Sequence, residues 1–441
     1  MKRLLSLLLC AVLALFCATT VQAAGVSITL TASEYALHYA FDAGAQDPFV
    51  ILEYTTPAEK GWMMLYSEDG HFEGDVSLAY SGAGGKTSVA LTSARTTGSI
   101  GKASTTLPKA ADYQKPTGKS NAKVTDFVLT ETPEGFHYAF NAIGTDYMLL
   151  YWRSKEQTVT QPVYPDENGH YEGDVISDLT FARTQFTVQV KSGSGSMKKE
   201  ATVRKGYQAP EAPQRQEGRL SGVTVCIDAG HQENGRFVNE PIGPGLTGST
   251  SGKGGMAQGT KTNRRESIVC LEIGMLLRDE LLRQGANVIM TREDQTTFHT
   301  NIERCEIAEA GGAQIMLRLH CNNSSNHSKR GIQVYGPLNS DYAKAVADAD
   351  TYREMGQKLL DAMKTRVGMT LANSTGMVRL NDNYVGNNWA KMMCFLVEMG
   401  YLSNPAEEYL LVTPVYQQWL AEGMADGVYE IAVARGWVQA Q

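Results

Sequence analysis

The sequence predicts a multidomain protein in which two tandem all-β, sandwich-like (Ig-like) repeats precede an α/β domain with a mostly parallel sheet flanked by helices. Three observations lead to this fold class. The chain has 441 residues, which is too long for one ordinary domain. Its first half contains a tandem repeat, and from Val223 onward strand-like and helix-like segments alternate.

The composition is that of a soluble globular protein, with 42% hydrophobic and 20% charged residues. The formal net charge of −7 gives the chain no general attraction for polyanions. Nucleic acid and acidic membrane surfaces are therefore not expected as partners. After the N-terminal segment, the sequence shows no stretch that is long and apolar enough to span a bilayer.

The N-terminus is predicted to be a secretory signal peptide over residues 1–23. A short basic region is followed by an apolar run from Leu4 to Phe16, and the small residues of "VQAA" place cleavage after Ala23. An uncleaved membrane anchor is the alternative, but the run is short for a spanning helix. A lipid anchor through Cys17 is disfavoured because bulky Phe16 precedes it. We expect an exported protein with no membrane span after cleavage.

Seven cysteines occur in the chain, two of them in the signal segment. The other five are predicted to be buried thiols, because none shows a C-x-x-C spacing and most lie in apolar strand or helix patterns. We therefore expect neither a disulfide framework nor a sulfur-based metal site. These residues are Cys226, Cys270, Cys305, Cys321 and Cys394.

Two short motifs recur in the first half of the chain at one offset. The segment "HYAFDA" at 38–43 returns as "HYAFNA" at 137–142, and "GHFEGDV" at 70–76 returns as "GHYEGDV" at 169–175. Both pairs are separated by 99 residues, so the sequence predicts a tandem duplication. Short alternating apolar segments, separated by turn residues, give each copy the pattern of an antiparallel β-sandwich.

The domain boundaries are predicted from changes in composition. The first repeat spans 24–107 and the second spans 122–205, with a segment rich in Lys, Pro and small residues between them. A similar linker at 206–219 leads to the α/β domain at 220–437. Histidine and glutamate of the repeated "GHxEG" motif share one face of a strand, but the preceding turn residues favour a structural role over metal binding.

Strands and helices alternate in the last domain, as in a mostly parallel sheet. Helices are predicted over about 264–284, from about 301 to the Gly311–Gly312 pair, over about 341–366, and after Thr413 as N-cap with Pro414 at the first helical position. The predicted strands are "VTVCIDAG", "NVIMTR", "IMLRLH", "GIQVYG" and "MMCFLVE".

Three polar residues stand at the ends of predicted strands, namely His231, His320 and Glu398. In such sheets ligands bind outside the carboxyl ends of the strands, so we expect these side chains to meet at one edge. Glu266 opens the first predicted helix, and its helical spacing with Cys270 places it on an apolar face that points toward the sheet. A favourable interaction with the helix dipole is the alternative explanation of this carboxylate.

Two histidines and one carboxylate from separate elements match a catalytic zinc site with an open fourth position. Water at such a site becomes a nucleophile near neutral pH. A second carboxylate can accept the proton of this water and pass it to a leaving nitrogen, and Glu398 suits that role. A lone buried histidine is more often a core residue than a ligand, but here three candidate positions share one sheet edge.

Four segments of the second half resemble a known family in their order and spacing: "VCIDAGHQ", "RRESIVCLEIGMLLRDELLRQGANVIMTR", "ERCEIAEAGGAQIMLRLHCN" and "FLVEMGYLSNPAEEYLL". Together they resemble the zinc-dependent N-acetylmuramoyl-L-alanine amidases of bacterial cell walls, the amidase type 3 family. The resemblance covers about residues 220–436. It implies hydrolysis of the amide bond between N-acetylmuramic acid and L-alanine in peptidoglycan, by a secreted, cell-wall-associated enzyme.

The resemblance also implies roles for four residues. His231, Glu266 and His320 correspond to the family's ligands of one Zn²⁺ per catalytic domain. Glu398 corresponds to the catalytic residue, the general base on a zinc-bound water.

Two acidic residues of the long Gly-rich loop after His231 remain alternative ligands, namely Glu233 and Glu240. We prefer Glu266 because the start of a helix fixes the direction of a side chain more firmly than a Gly-rich loop does.

Further residues near these motifs are candidates for substrate contact or for orienting the ligands. Asp228 is placed to orient His231 from behind the metal site, and the two arginines match family positions but are open to a purely structural role. The segment 387–389 lines the substrate groove or forms a packing loop. The candidates are Asp228, Arg292, Arg304, Asn322, Asn388 and Trp389.

Two other functions are left open by the sequence. One is a non-catalytic cell-wall-binding or regulatory protein, although all four motif positions are filled. The other is a different zinc peptidase acting on stem peptides, although the sequence contains no H-E-x-x-H helix. Peptidoglycan is the expected substrate in the preferred interpretation, and the β repeats are candidates for contact with the cell wall or with a protein.

Overall fold

The structure is a computed structural model in which the chain forms two compact units, residues 1–117 and 118–441. Each unit is described by itself. The predicted signal segment lies almost entirely outside the described residues, and the predicted domain boundaries stay a prediction. The described ranges are 19–22, 26–33, 36–57, 60–78, 84–96, 98–109, 123–132, 135–143, 148–153, 158–176, 184–192, 198–205, 210–232, 238–250, 256–368 and 378–440.

The described part of the first unit is all-β. Its strands are β1 (Thr19–Gln22), β2 (Ser27–Ala32), β3 (Ala36–Asp42), β4 (Phe49–Thr55), β5 (Lys60–Tyr66), β6 (His71–Ser77), β7 (Gly85–Ser93) and β8 (Ser99–Leu107). They form two antiparallel sheets, in the orders β1-β2-β3-β6 and β5-β4-β7-β8. Leu30 of one sheet and Leu52 of the other belong to the same buried cluster, so one apolar core serves both sheets.

The second unit begins with a further all-β region. Its strands are β9 (Lys123–Thr132), β10 (Gly135–Ile143), β11 (Met148–Arg153), β12 (Thr158–Val163), β13 (His170–Ile176), β14 (Thr184–Ser192) and β15 (Lys198–Lys205). They form the antiparallel sheets β13-β10-β9 and β12-β11-β14-β15, and Phe140 and Phe186 lie in their buried cluster. Antiparallel β domains are thus present, while the Ig-like topology stays a prediction.

The repeated motifs occupy equivalent positions in the two all-β regions. Tyr39 pairs with Gly74 across β3 and β6, and Tyr138 pairs with Gly173 across β10 and β13. A Cβ atom on either glycine would lie 2.7 Å from the tyrosine hydroxyl oxygen, so only glycine leaves room for the ring. This contact gives the shared "HYAF" and "EGDV" segments a structural reason.

The C-terminal region of the second unit is α/β. Its elements are β16 (Thr224–Ala229), α1 (Glu266–Arg283), β17 (Asn287–Met290), α2 (Asn301–Ala310), β18 (Ile315–Asn322), β19 (Gln333–Gly336), α3 (Asp341–Val346), α4 (Ala349–Val367), β20 (Val378–Leu380), α5 (Val385–Trp389), β21 (Met393–Tyr401), α6 (Pro405–Leu411) and α7 (Pro414–Ala434). The sheet has the order β17-β16-β18-β21-β19-β20. β19 runs antiparallel to β21, and the other described neighbours pair in parallel.

Helices cover both faces of this mixed sheet. Gly274 of α1 lies against Ile227 and Ala229 of β16. On the opposite face, Cys226 and residues of α2 and β21 form a separate buried cluster. Successive strand residues point to opposite faces, which explains why β16 is buried on both faces from Val225 to Ala229.

The prediction of one continuous helix over 341–366 is wrong. The structure divides it into α3 and α4, with Ala347 extended between them at φ −165° and ψ 161°. The Asp348 carboxylate accepts a hydrogen bond from Thr351 N and caps the second helix. An aspartate inside a helical pattern here starts a new helix, because its side chain satisfies a free backbone N–H.

The structure also bears on the predicted cap of α7, on the cysteines and on membrane-spanning helices. Thr413 occupies the N-cap position of α7 as predicted, but it makes no capping hydrogen bond, and its hydroxyl donates to Tyr409 O. The five cysteines of the domain are buried free thiols, which confirms the prediction. Among the described helices, the structure shows none that is both long and apolar enough to cross a membrane.

Close packing of α7 on α4 provides a test of the fold. A Cβ on Gly427 would lie 2.8 Å from Leu359 Cα, a backbone atom that cannot move aside cheaply. We expect Gly427→Ala to lower the free energy of unfolding by about 1–3 kcal/mol, measured by calorimetry of the full chain. Gly274→Ala is the matched control, because its Cβ would meet neighbours at 3.5 Å and should stabilise α1 by up to about 1 kcal/mol. Equal effects of the two substitutions would contradict this packing.

Candidate active site

The sheet topology brings the predicted site residues to one edge. His320 on β18 lies directly opposite Glu398 on β21, and β16, which leads to His231, is the other neighbour of β18. Glu266 is the first residue of α1. The carboxyl ends of adjacent parallel strands therefore place the four side chains together, as expected for this class of sheet.

His231 has an uncommon backbone conformation, with φ at +57°. It follows the end of β16, where Gly230 N donates to Leu319 O at 2.9 Å. The left-handed conformation turns the chain away from the sheet at this point, and His231 Nε2 lies 3.1 Å from Glu266 Oε1. Such a residue is held in place only when its surroundings determine the conformation.

Glu266 is the centre of the group and is only 3% exposed. Its Oε1 lies 3.0 Å from His320 Nδ1 and accepts a 3.0 Å hydrogen bond from Cys321 N. Its Oε2 accepts from Ala257 N at 2.7 Å. Burial opposes ionisation of this carboxyl, but the charges and hydrogen bonds of the two histidines hold its pKa well below the ordinary value.

His231, Glu266 and His320 fit a metal ion. Their ligand atoms all lie within 4.8 Å of one another. Ligands of a tetrahedral zinc centre are separated by about 3.3 Å, since each metal bond is about 2.0–2.1 Å long, and the distances from Glu266 Oε1 to the ring nitrogens are close to this value. Burial lowers the pKa of His320, which favours the neutral imidazole that metal binding requires.

Glu398 lies beside this group with a carboxyl that is unusually basic. Burial, and then the negative charge of Glu266, raise its pKa to about 8. Its Oε2 is buried and has no hydrogen-bond partner among the residues that the structure describes. A buried carboxylate oxygen with no partner among the described residues is unusual, and this oxygen is placed to exchange a proton with a bound molecule.

Asp228 lies on β16, three residues before His231, in a buried cluster of charged side chains. Its Oδ1 accepts hydrogen bonds from Arg304 Nη1 and, at 2.8 Å, from Thr291 Oγ1. Its Oδ2 accepts from Arg318 Nε at 2.9 Å. Burial opposes ionisation, but the two guanidinium groups hold the pKa of Asp228 far below its ordinary value. The carboxylate is therefore charged at every physiological pH.

The arginines connect this cluster to the ligand-bearing loop. Arg304 Nη2 donates to the carbonyl oxygen of His231 at 3.2 Å and to the side chain of Gln232. Arg292 donates to the carbonyl oxygens of Gly230 and Ser267 at 2.8 and 2.7 Å, which joins the end of β16 to the start of α1. Asp228 thus acts on His231 through the backbone and Arg304.

Other sequence candidates lie in the supporting structure. The Glu240 carboxylate accepts from Asn301 N and Ile302 N at 3.2 and 2.8 Å, so it caps α2 and is no ligand of the His231 group. Glu233 lies outside the described residues. The Asn388 side chain donates to Ile242 O, and Trp389 Nε1 donates to Pro241 O.

These contacts fasten the loop that follows Glu240, and they favour the packing interpretation of segment 387–389. Asn322 donates from Nδ2 to Gln333 Oε1 at 3.1 Å and stands at the end of β18.

The sequence analysis missed Arg318, which lies in the middle of the apolar segment "IMLRLH". It is 4% exposed and supplies half of the positive charge that Asp228 meets. A charged residue inside a buried strand requires a partner, so the same argument that singled out Glu398 would have found it.

One family model matches the C-terminal region of the chain. The N-acetylmuramoyl-L-alanine amidase family, amidase type 3, matches residues 225–430, and this segment contains all four site residues.

Two curated relatives and one solved structure illustrate the similarity. The germination-specific N-acetylmuramoyl-L-alanine amidase of Bacillus subtilis is 26% identical over 231 residues, which cover 49% of this chain and 83% of the relative. The probable cell wall amidase LytH of Staphylococcus aureus is 27% identical over 218 residues, covering 48% of this chain and 60% of the relative. An N-acetylmuramoyl-L-alanine amidase structure from Clostridium difficile 630 has 23% identity and a TM-score of 0.38, covering 48% of this chain and 96% of that one.

The Asp228 cluster predicts a pH-dependent loss of stability. Asp228→Asn leaves two buried guanidinium groups without their counter-charge and should lower the free energy of unfolding by about 3–5 kcal/mol. A depressed pKa in the folded state stabilises the protein above the unfolded value of 3.8, and this contribution is lost as pH falls below about 5. Thermal unfolding followed between pH 7 and pH 3 should therefore depend less steeply on pH in the variant.

Asp361→Asn is the control, because this carboxylate is largely exposed on α4 and should change stability by less than about 0.5 kcal/mol. Identical pH profiles for wild type and Asp228→Asn would show that the ion cluster does not carry this stability.

Proposed function

We propose that the protein is a zinc-dependent hydrolase of the amide bond between N-acetylmuramic acid and L-alanine in peptidoglycan. The observation that carries the proposal is the convergence of His231, Glu266 and His320 with Glu398 at one sheet edge. This convergence lies within the segment that matches the amidase family. Neither the ion nor the substrate is part of the structure, so the roles of the four residues belong to the proposal.

The three proposed ligands would leave one coordination position of the ion open. Two neutral imidazoles and one carboxylate make up the donor set of catalytic zinc sites that keep an open position. When bound, the ion supplies a Lewis acid that polarises the amide carbonyl and acidifies water. Glu266 and both histidines are held by the fold before loading, which favours a fixed geometry of the site.

Glu398 is the proton carrier of the proposed reaction. Its carboxylate accepts the proton of the attacking water and then donates it to the amide nitrogen, which leaves as the amine of L-alanine. A carboxyl with a pKa raised toward neutrality is suited to both steps, because it takes up and releases a proton near the working pH. The unpartnered Oε2 of Glu398 supports this assignment.

The remaining parts of the chain complete the proposal. Residues 1–23 act as a signal peptide, and the protein is exported to the cell wall. The two all-β regions serve as tandem repeats that contact the wall or a partner protein. The exposed indole of Trp62, which is 39% accessible, supports such a contact in the first region.

Substitution of the proton carrier separates catalysis from metal binding. Glu398→Gln keeps the size of the side chain but cannot accept the proton, so the rate should fall by about 10²–10⁴-fold while zinc content is unchanged. Purified peptidoglycan would be digested and the released peptides identified by mass spectrometry. Glu354→Gln, an exposed position on α4, should retain the wild-type rate. Full activity of Glu398→Gln would exclude Glu398 as the base.

Substitution of a ligand should remove the metal. His231→Ala deletes one of three protein ligands, so zinc measured by elemental analysis after dialysis should fall by at least about tenfold relative to wild type. Thermal stabilisation by added zinc should disappear in parallel, because an ion that binds only the folded state raises its stability. His71→Ala, in the first unit, should retain the wild-type metal content. A stoichiometric zinc content in His231→Ala would contradict the assigned ligand set.

A further inference from the structure

A cavity of about 520 Å³ lies beside the proposed active site. Its lining is polar and includes three cations, Lys329, Arg330 and Arg379, together with Tyr335 and Tyr401. None of its lining residues is a carboxylate. This cavity is not part of the ligand set or of the proton carrier described above.

The cavity is connected to Glu398 by the register of the sheet. His320, Glu398 and Gln333 lie directly opposite one another on the adjacent strands β18, β21 and β19. Residues in such cross-strand positions point to the same face of a sheet. Gln333 is also part of the cavity wall, so the row that begins at the candidate metal ligands ends in the cavity.

The wall next to Glu398 is internally hydrogen-bonded. Gln333 Oε1 accepts from Tyr335 Oη at 2.6 Å and from Asn322 Nδ2 at 3.1 Å. Asn322 and Tyr401 are cross-strand partners on β18 and β21. These hydrogen bonds hold the wall next to Glu398 in place.

Lys329 and Arg379 contribute positive charge to the cavity. Both side chains are exposed, and in the described part of the chain the structure gives neither a carboxylate partner. The whole chain has a formal charge of −7, so two accessible cations beside a catalytic edge are not explained by general composition. Cations of this kind attract a carboxylate ligand.

We propose that this cavity binds a carboxylate of the acidic peptide that extends from the scissile amide, with Lys329 and Arg379 as the contacting cations. This inference rests on the proposed amidase function. It concerns selectivity for the peptide side of the substrate, and it makes the two residues specificity determinants and not participants in bond cleavage.

Strand spacing indicates which part of the peptide is recognised. Arg379 is the partner of Tyr335 on β20, two strands away from Glu398, which corresponds to about 10 Å. An extended peptide covers this distance in about three residues. L-alanine, the next residue and the side chain of that residue together cover this distance, so the bound carboxylate belongs to the residue after the L-alanine whose nitrogen is released.

Two synthetic N-acetylmuramoyl peptides test the proposal when they differ only in the residue after L-alanine, which carries either a free carboxylate or the matching carboxamide. The full-length enzyme should have a higher kcat/KM for the carboxylate form. Arg379→Gln and Lys329→Gln should each reduce this preference by about three- to tenfold, mainly through KM. The preference of the wild type should weaken as salt is added, and Arg379→Lys should restore part of it.

Arg353→Gln is the matched control, because this arginine is exposed on α4 and pairs with Asp350; its preference should equal that of the wild type. Equal kcat/KM values for the two peptides, or an equal loss for both in Arg379→Gln and Lys329→Gln, would overturn the carboxylate subsite while leaving the amidase function intact. Cleavage of neither peptide by the zinc-loaded wild type would overturn both.

Discussion

The burial of Glu266 is the constraint on which the rest of the site depends. An ionised carboxylate at 3% exposure is tolerated only when cations or hydrogen-bond donors surround it. Two histidines and two backbone N–H groups do so here. They come from the ends of β16 and β18 and from the loop before α1, so these three segments must converge at one point.

A second buried carboxylate, Asp228, fixes the position of the arginines in the same region. Its partner Arg304 also donates to the carbonyl oxygens of Ala229 and His231, which lie where the chain leaves the sheet. Hydrogen bonds from charged groups are the stronger ones, and they offset the cost of the left-handed conformation of His231. The fold thus uses one acidic residue to position the ligand loop and a second to hold the histidine rings.

The sequence predicted the parts of this arrangement that depend on local pattern. The apolar face of α1 revealed the direction of Glu266, and the strand ends revealed His231, His320 and Glu398. It did not predict the antiparallel direction of β19, because strand direction depends on long-range pairing and not on periodicity. The role of Glu240 at the start of α2 could not be predicted either, since a capping carboxylate 61 residues away from Asn301 in the sequence leaves no local signal.

The charge at the proposed metal ligands affects the pKa of Glu398. Burial and the charge of Glu266 keep Glu398 protonated near neutral pH, and a protonated carboxyl cannot act as a base. Any cation held by Glu266 and the histidines opposes this effect and lowers the pKa of Glu398. In the proposed mechanism, binding of the ion therefore makes Glu398 available as the proton acceptor. In the proposed subsite, Arg379 lies two strands away from Glu398, so a peptide carboxylate bound there would have only a weak influence on the pKa of Glu398.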